Sequence, residues 1–79
     1  MKTATLTATI WKEGPAYVSV CPELGVASCG DSPEHALAML REAVELYLEN
    51  AAILGILGDI EPALASNVRF SSPLEVALA

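Results

Sequence analysis

The side chains best suited to chemistry in this chain are one histidine, His35, two cysteines, Cys21 and Cys29, and ten acidic residues. The cysteines and histidine stand at a Cys-x7-Cys-x5-His spacing, which matches no zinc-ligand pattern. A catalytic histidine needs a nucleophile or a second titratable group within hydrogen-bond reach. Ser32 lies three residues before His35, but its hydroxyl is better used to cap the helix that begins there. Metal-dependent phosphodiester cleavage needs several carboxylates converging on the ions; here the strand cores are apolar, and Glu34, Glu42, Glu45 and Glu49 fall along the outward side of a helix. The five glycines are each isolated, so no phosphate-cradling loop is present. The cysteines read as small buried hydrophobes, without a disulfide. The expectation is therefore a chain without catalytic residues, metal ligands or a cofactor.

The elements that position these residues are legible over most of the chain. Residues 3–11 alternate, with Ala4, Leu6, Ala8 and Ile10 on one side and Thr3, Thr5, Thr7, Thr9 and Trp11 on the other, which predicts a half-buried strand. Lys12-Glu13-Gly14-Pro15 reads as a hairpin turn. A second strand is expected over Ala16–Cys21 with Val18 and Val20 inward, and a third over Val26–Cys29 after the turn Pro22-Glu23-Leu24-Gly25. Connections this short predict an antiparallel meander. Ser32 at the N-cap, Pro33 at the first helical position and Glu34 in the first turn then fix a helix start. The helix runs to Asn50 or Leu54 and stops near Gly55. Residues 55–67 read as a connector with a single helical turn around Pro62–Ala65. Residues 68–79 read as a strand region, in which Leu74, Val76 and Leu78 alternate with Glu75 and Ala77. That strand either completes its own sheet or pairs with a neighbouring subunit, with Pro73 at its start or on an edge. The whole is one α+β domain, 1–79, with its core in 3–54.

Placing the helix residues at about 100° intervals separates two kinds of face. Glu34, Arg41, Glu42, Glu45 and Glu49 share one arc. Leu37, Leu40, Val44, Tyr47, Ala51 and Leu54 form the stripe expected on the sheet, flanked by Met39, Leu46 and Ile53 on one side and Leu48 on the other. Arg41 can pair with Glu45, whereas Glu45 and Glu49 are like charges at i,i+4, a clash of ~0.2–0.5 kcal/mol. The acidic face is either a solvated surface or a docking ridge for a basic protein. Trp11 either caps the hairpin or serves as an exposed interface anchor. Both readings of each are open at this point.

Composition bounds the possibilities further. A chain of 79 residues, 53% of them hydrophobic, has more apolar material than one small core can hide. Partner chains covering the surplus are the favoured expectation: a homodimer or dimer of dimers, with Met39, Leu46, Ile53, Leu74, Val76 and Leu78 at the contact. The net charge of −6, with only four basic residues, gives no basic footprint for direct nucleic-acid binding. No targeting signal is visible, and the longest apolar run, 51–57, is far short of a membrane span. The chain is expected to be cytoplasmic, with no membrane contact.

Tyr17-Val18, Pro22-Glu23-Leu24-Gly25, Gly30-Asp31-Ser32-Pro33-Glu34 with Ala36, and Glu42-Ala43-Val44-Glu45-Leu46-Tyr47-Leu48, in this order and spacing, resemble the HicB antitoxin family over roughly residues 4–49. The resemblance implies a β-β-β-α-β unit, described as a partial RNase H-like fold. It also implies a non-enzymatic role: binding and occluding a small, basic, RNA-cleaving toxin of the HicA type. Many members carry a C-terminal DNA-binding domain; with only about 30 residues after the helix, a stand-alone domain is expected here. Trp11, Glu42, Glu45 and Glu49 are the residues expected to meet the toxin. Two other readings remain: an oligomeric HicB-like regulatory domain without a toxin, and a small RNase H-like hydrolase.

Overall fold

A computed structural model describes residues 4–65, 70 and 72–78. Three strands, β1 (Thr9–Glu13), β2 (Ala16–Cys21) and β3 (Val26–Gly30), form an antiparallel meander in the order β1-β2-β3. One long helix, α1 (Pro33–Ile53), crosses one face of the sheet, and a shorter helix, α2 (Leu57–Ala65), follows. The fold is α+β. Helix α1 lies mainly on β3, less on β2 and least on β1, so the β1 side of the interface between helix and sheet is the more open one.

The first strand is displaced from its expected position. Lys12 and Glu13 belong to β1, which pairs Thr9 with Val20 and Glu13 with Ala16, leaving a two-residue turn at Gly14-Pro15. Residues 4–8 alternate as a strand should, yet lie outside the ladder. The reason is on the neighbouring strand: β2 ends at Cys21, and Pro22 has no N–H to give. The Glu23 carboxylate takes over where the ladder stops. It accepts the Thr7 hydroxyl at 2.6 Å and the Thr7 N–H at 3.1 Å.

The inward face of β2 is the opposite of the expected one. Ser19 and Cys21 are fully buried, while Val18 and Val20 are only half-buried. Ser19 Oγ donates to the Ala36 carbonyl of α1 at 2.9 Å, so Tyr17, Ser19 and Cys21 face the helix and the valines face away. Small residues win this face because the helix approaches closely. A Cβ built on Gly30 would stand 2.5 Å from the Ala36 amide nitrogen and 2.8 Å from the His35 carbonyl carbon. No side chain fits there, and Ala36 completes the contact from the helix side. The fully buried apolar residues among those described are Cys21, Ala36, Leu40 and Ala51. The helix stripe is thus turned slightly from its expected centre: Ala36 joins it, Leu37 is 41% exposed and Leu54 71% exposed.

The ends of α1 follow the local chemistry. Ser32 is the N-cap, accepting the His35 N–H on its hydroxyl at 3.0 Å, with Pro33 at the first helical position. At the far end Gly55 has φ +74°, its N–H reaches the Ala52 carbonyl, and the Ile56 N–H reaches the Ala51 carbonyl. This pair of bonds is a Schellman cap.

Beyond the cap two further expectations are corrected. The connector holds a nine-residue helix, α2, despite Pro62 in its interior. Of the expected final strand region, residues 72–78 carry no regular structure and are exposed; among the described residues none of them pairs with the sheet. Residues 1–3, 66–69, 71 and 79, including the expected strand residues Val68 and Arg69, lie outside the described residues.

Candidate protein-interaction site

His35 and Cys21 are each committed to a structural task, whereas Cys29 is an exposed free thiol. His35 accepts the Asp31 N–H on Nδ1 at 3.0 Å while its own N–H goes to Ser32. Two donors at the helix start are thereby satisfied reciprocally, in the manner of a capping box. The Asp31 carboxylate stands 3.9 Å from the same Nδ1. Cys21 is buried and Cys29 exposed, both as free thiols. Register places Cys29 beside Val18 and Cys21 opposite Val26, which puts the two sulfurs on opposite faces of the sheet. The expectation that both cysteines are buried therefore fails for Cys29. Burial pushes the Cys21 thiol up, an effect its contact with the Glu23 carboxylate reinforces while the Leu24 and Glu23 N–H groups oppose it. A thiol held protonated is a poor nucleophile. Among the described residues no group of three His, Cys, Asp or Glu side chains could hold a metal ion.

Glu23 is the most perturbed carboxylate. Burial alone would raise it, but this is outweighed by hydrogen bonds from the Thr7 hydroxyl, the Glu23 and Thr7 N–H groups and the Cys21 thiol, and it settles at about 2. It therefore stays ionised and pins the N-terminal segment to the β2–β3 turn. Sequence reasoning assigned Glu23 only to a turn. The pair with Thr7 spans 16 residues, and no local pattern announces it.

Three surfaces remain for binding. The first is an acidic ridge: Glu42, Glu45 and Glu49 are all exposed along the outer face of α1. Among the described residues no lysine or arginine forms an ion pair with them, including the Arg41–Glu45 pair that the helical spacing permits. The last turn of α1 contains no basic residue, so Glu49 meets the negative end of the helix dipole unrelieved. The second is the open sheet face. Trp11, 43% exposed, pairs with Val18, which pairs with Cys29; the adjacent row is Thr9, Val20 and Ala27. Trp11 thus lies on a broad strand surface rather than at the hairpin tip. Because α1 covers the other face, Trp11 and the glutamate ridge stand on opposite sides of the molecule. The four residues expected to meet one partner do not form one footprint.

The third surface is a groove of ≈ 650 Å³ between residues 4–8 and α1. Leu37, Leu40, Val44 and Leu48 wall it on the helix side, Leu6 faces them, and Arg41 and Glu45 also line it. Sequence reasoning missed it, since it exists only because residues 4–8 leave the ladder. On the opposite flank of α1, Met39 is half-buried, Leu46 is 58% exposed and Ile53 79% exposed. No helix among the described residues is long and apolar enough to cross a membrane. Comparison of this chain with protein-family models, with curated proteins and with solved structures finds no match.

Proposed function

We propose that this chain is a non-enzymatic, cytoplasmic binding module of the HicB antitoxin kind, which occludes a small basic RNA-cleaving protein of the HicA type. The observation that carries the reading is the ridge of Glu42, Glu45 and Glu49. Three exposed carboxylates at i, i+3 and i+7 repel one another, and among the described residues none of them forms an ion pair with a lysine or arginine. Each like-charge neighbour at i,i+4 spacing costs ~0.2–0.5 kcal/mol in the free protein. A lysine- or arginine-rich surface removes that cost and is steered to the ridge by the net charge of −6. The same basic surface on an RNA-cleaving protein would bind its substrate, so covering it silences cleavage without any chemistry by this chain. His35, Cys21 and Glu23 are engaged in capping and pinning, which supports the non-enzymatic part. For the same electrostatic reason the chain alone does not bind duplex DNA.

The test is calorimetric titration of a basic HicA-type protein into this chain at low and high salt. Affinity is expected to fall steeply with salt, and by 100-fold or more in the triple variant E42K/E45K/E49K. Unchanged affinity in that variant refutes the ridge as the docking surface. A second reading, an oligomeric regulatory domain with no toxin, draws its support from the open sheet face around Trp11. It predicts self-association with no response to a basic partner.

A further inference from the structure

The chain is larger than a self-sufficient monomer of its size. Its accessible surface is 6223 Å², about 1,600 Å² more than the ~4,600 Å² expected for a folded chain of this mass. Its radius of gyration is 14.3 Å, against ~12 Å for a compact domain of this length. A stable pair of proteins buries roughly 800 Å² on each partner, so the excess is enough to supply one interface and more. Two exposed apolar features are candidates for the contact.

One is the groove beside α1. Its helical wall from Leu37 to Leu48 is ~16 Å long at 1.5 Å per residue, and Leu6 closes the other side. The other is the segment 72–78. Leu74 is 85% exposed, Val76 69% and Leu78 92%, and their period of two puts all three on one side of an extended chain. From Leu74 to Leu78 is ~13 Å in strand geometry, which the groove accommodates. The strand side of the groove is formed by residues 4–8, which are not paired in the sheet, so an incoming extended segment meets an apolar wall beside an unpaired stretch of backbone. None of residues 70 and 72–78 lines the groove of its own chain.

We propose that this groove receives segment 72–78 of a second copy, in a reciprocal two-fold exchange. Each copy donates one segment and accepts one, so the same contact is used twice. The contact residues are Leu6, Leu37, Val44 and Leu48 on the receiving side and Leu74, Val76 and Leu78 on the donating side. The inference does not depend on the acidic ridge or on a toxin, and the two can fail separately.

Light scattering on the full chain at tens of micromolar tests it. Wild type is expected to have the mass of a dimer. L37D, which spoils the groove at a half-exposed position, and V76D, which spoils the segment, are each expected to be monomeric with an unchanged helical circular-dichroism signal. Removing residues 72–79 is a further variant that disturbs no packed side chain, and it too should be monomeric. Mixing L37D with V76D at high concentration should restore dimer mass, because one groove and one segment remain intact between the two chains. A monomeric wild type, a dimeric truncation, or a mixture that stays monomeric would each overturn the exchange.

Discussion

Glu23 is the residue on which the order of the N-terminal segment rests. Its carboxylate is held at about 2 by the Thr7 and Cys21 contacts in the folded protein and returns to an ordinary value on unfolding. A depressed folded value means that the stabilisation is fully present above the ordinary carboxylate range. It fades as pH falls from there to about 2. Replacing Glu23 with Gln should cost about 1–2 kcal/mol near neutrality, the range for a hydrogen bond to a charged group at a partly exposed site. Urea denaturation at several pH values should show the gap between wild type and E23Q closing as pH approaches 2. A gap independent of pH would show that the charge is not what matters. The thiols divide in the same local way. Cys29 is open to solvent and Cys21 is buried, so a small alkylating reagent should modify one thiol quickly and the second only on unfolding. Neither the Thr7 contact nor the exposure of Cys29 was legible in the sequence. The first joins residues far apart in the chain, and the second depends on which face of the sheet the helix covers.

At the scale of elements, sequence reasoning located what local chemistry dictates. Ser32-Pro33-Glu34 placed the start of α1, and Gly55 placed its end. The turn at Pro22-Glu23-Leu24-Gly25 separated β2 from β3 at the right residues. It misjudged what only packing decides. Val18 and Val20 looked like inward residues on hydrophobicity, but the close approach of α1 selects Ser19, Gly30 and Ala36, and sends the valines to the open face. Ala4–Ala8 looked like strand because they alternate, and lack a ladder because β2 ends too soon. Leu74–Leu78 looked like strand for the same reason and find no edge in their own chain. Helix α2 was hidden by Gly58 and Pro62. Two substitutions check this account of the elements. Gly30→Ala forces its methyl against the α1 backbone and should destabilise by about 1–3 kcal/mol, as overpacking does. Gly55→Ala places a side chain at positive φ and should cost about 1–2 kcal/mol. Shifts in urea midpoint measure both, and a neutral Gly30→Ala would mean that helix and sheet sit further apart than described.

For the whole molecule, the small core and the large surface belong together. Leu40 is the one large aliphatic side chain fully buried among the described residues, while Leu46, Ile53, Leu74 and Leu78 stand in water. The open sheet face with Trp11 lies on the side away from α1, whereas the acidic ridge borders the groove beside α1, because Glu45 belongs to both. The family resemblance rests on Tyr17–Leu48, the part of the chain that builds β2, β3 and most of α1, and the proposed role draws on the charge of that helix. The most direct test of the proposed function is an RNA-cleavage assay with a basic HicA-type protein. Stoichiometric addition of this protein at low salt should abolish cleavage, and E42K/E45K/E49K should fail to do so while remaining folded. Cleavage that continues undiminished at a several-fold excess of wild type would contradict the account.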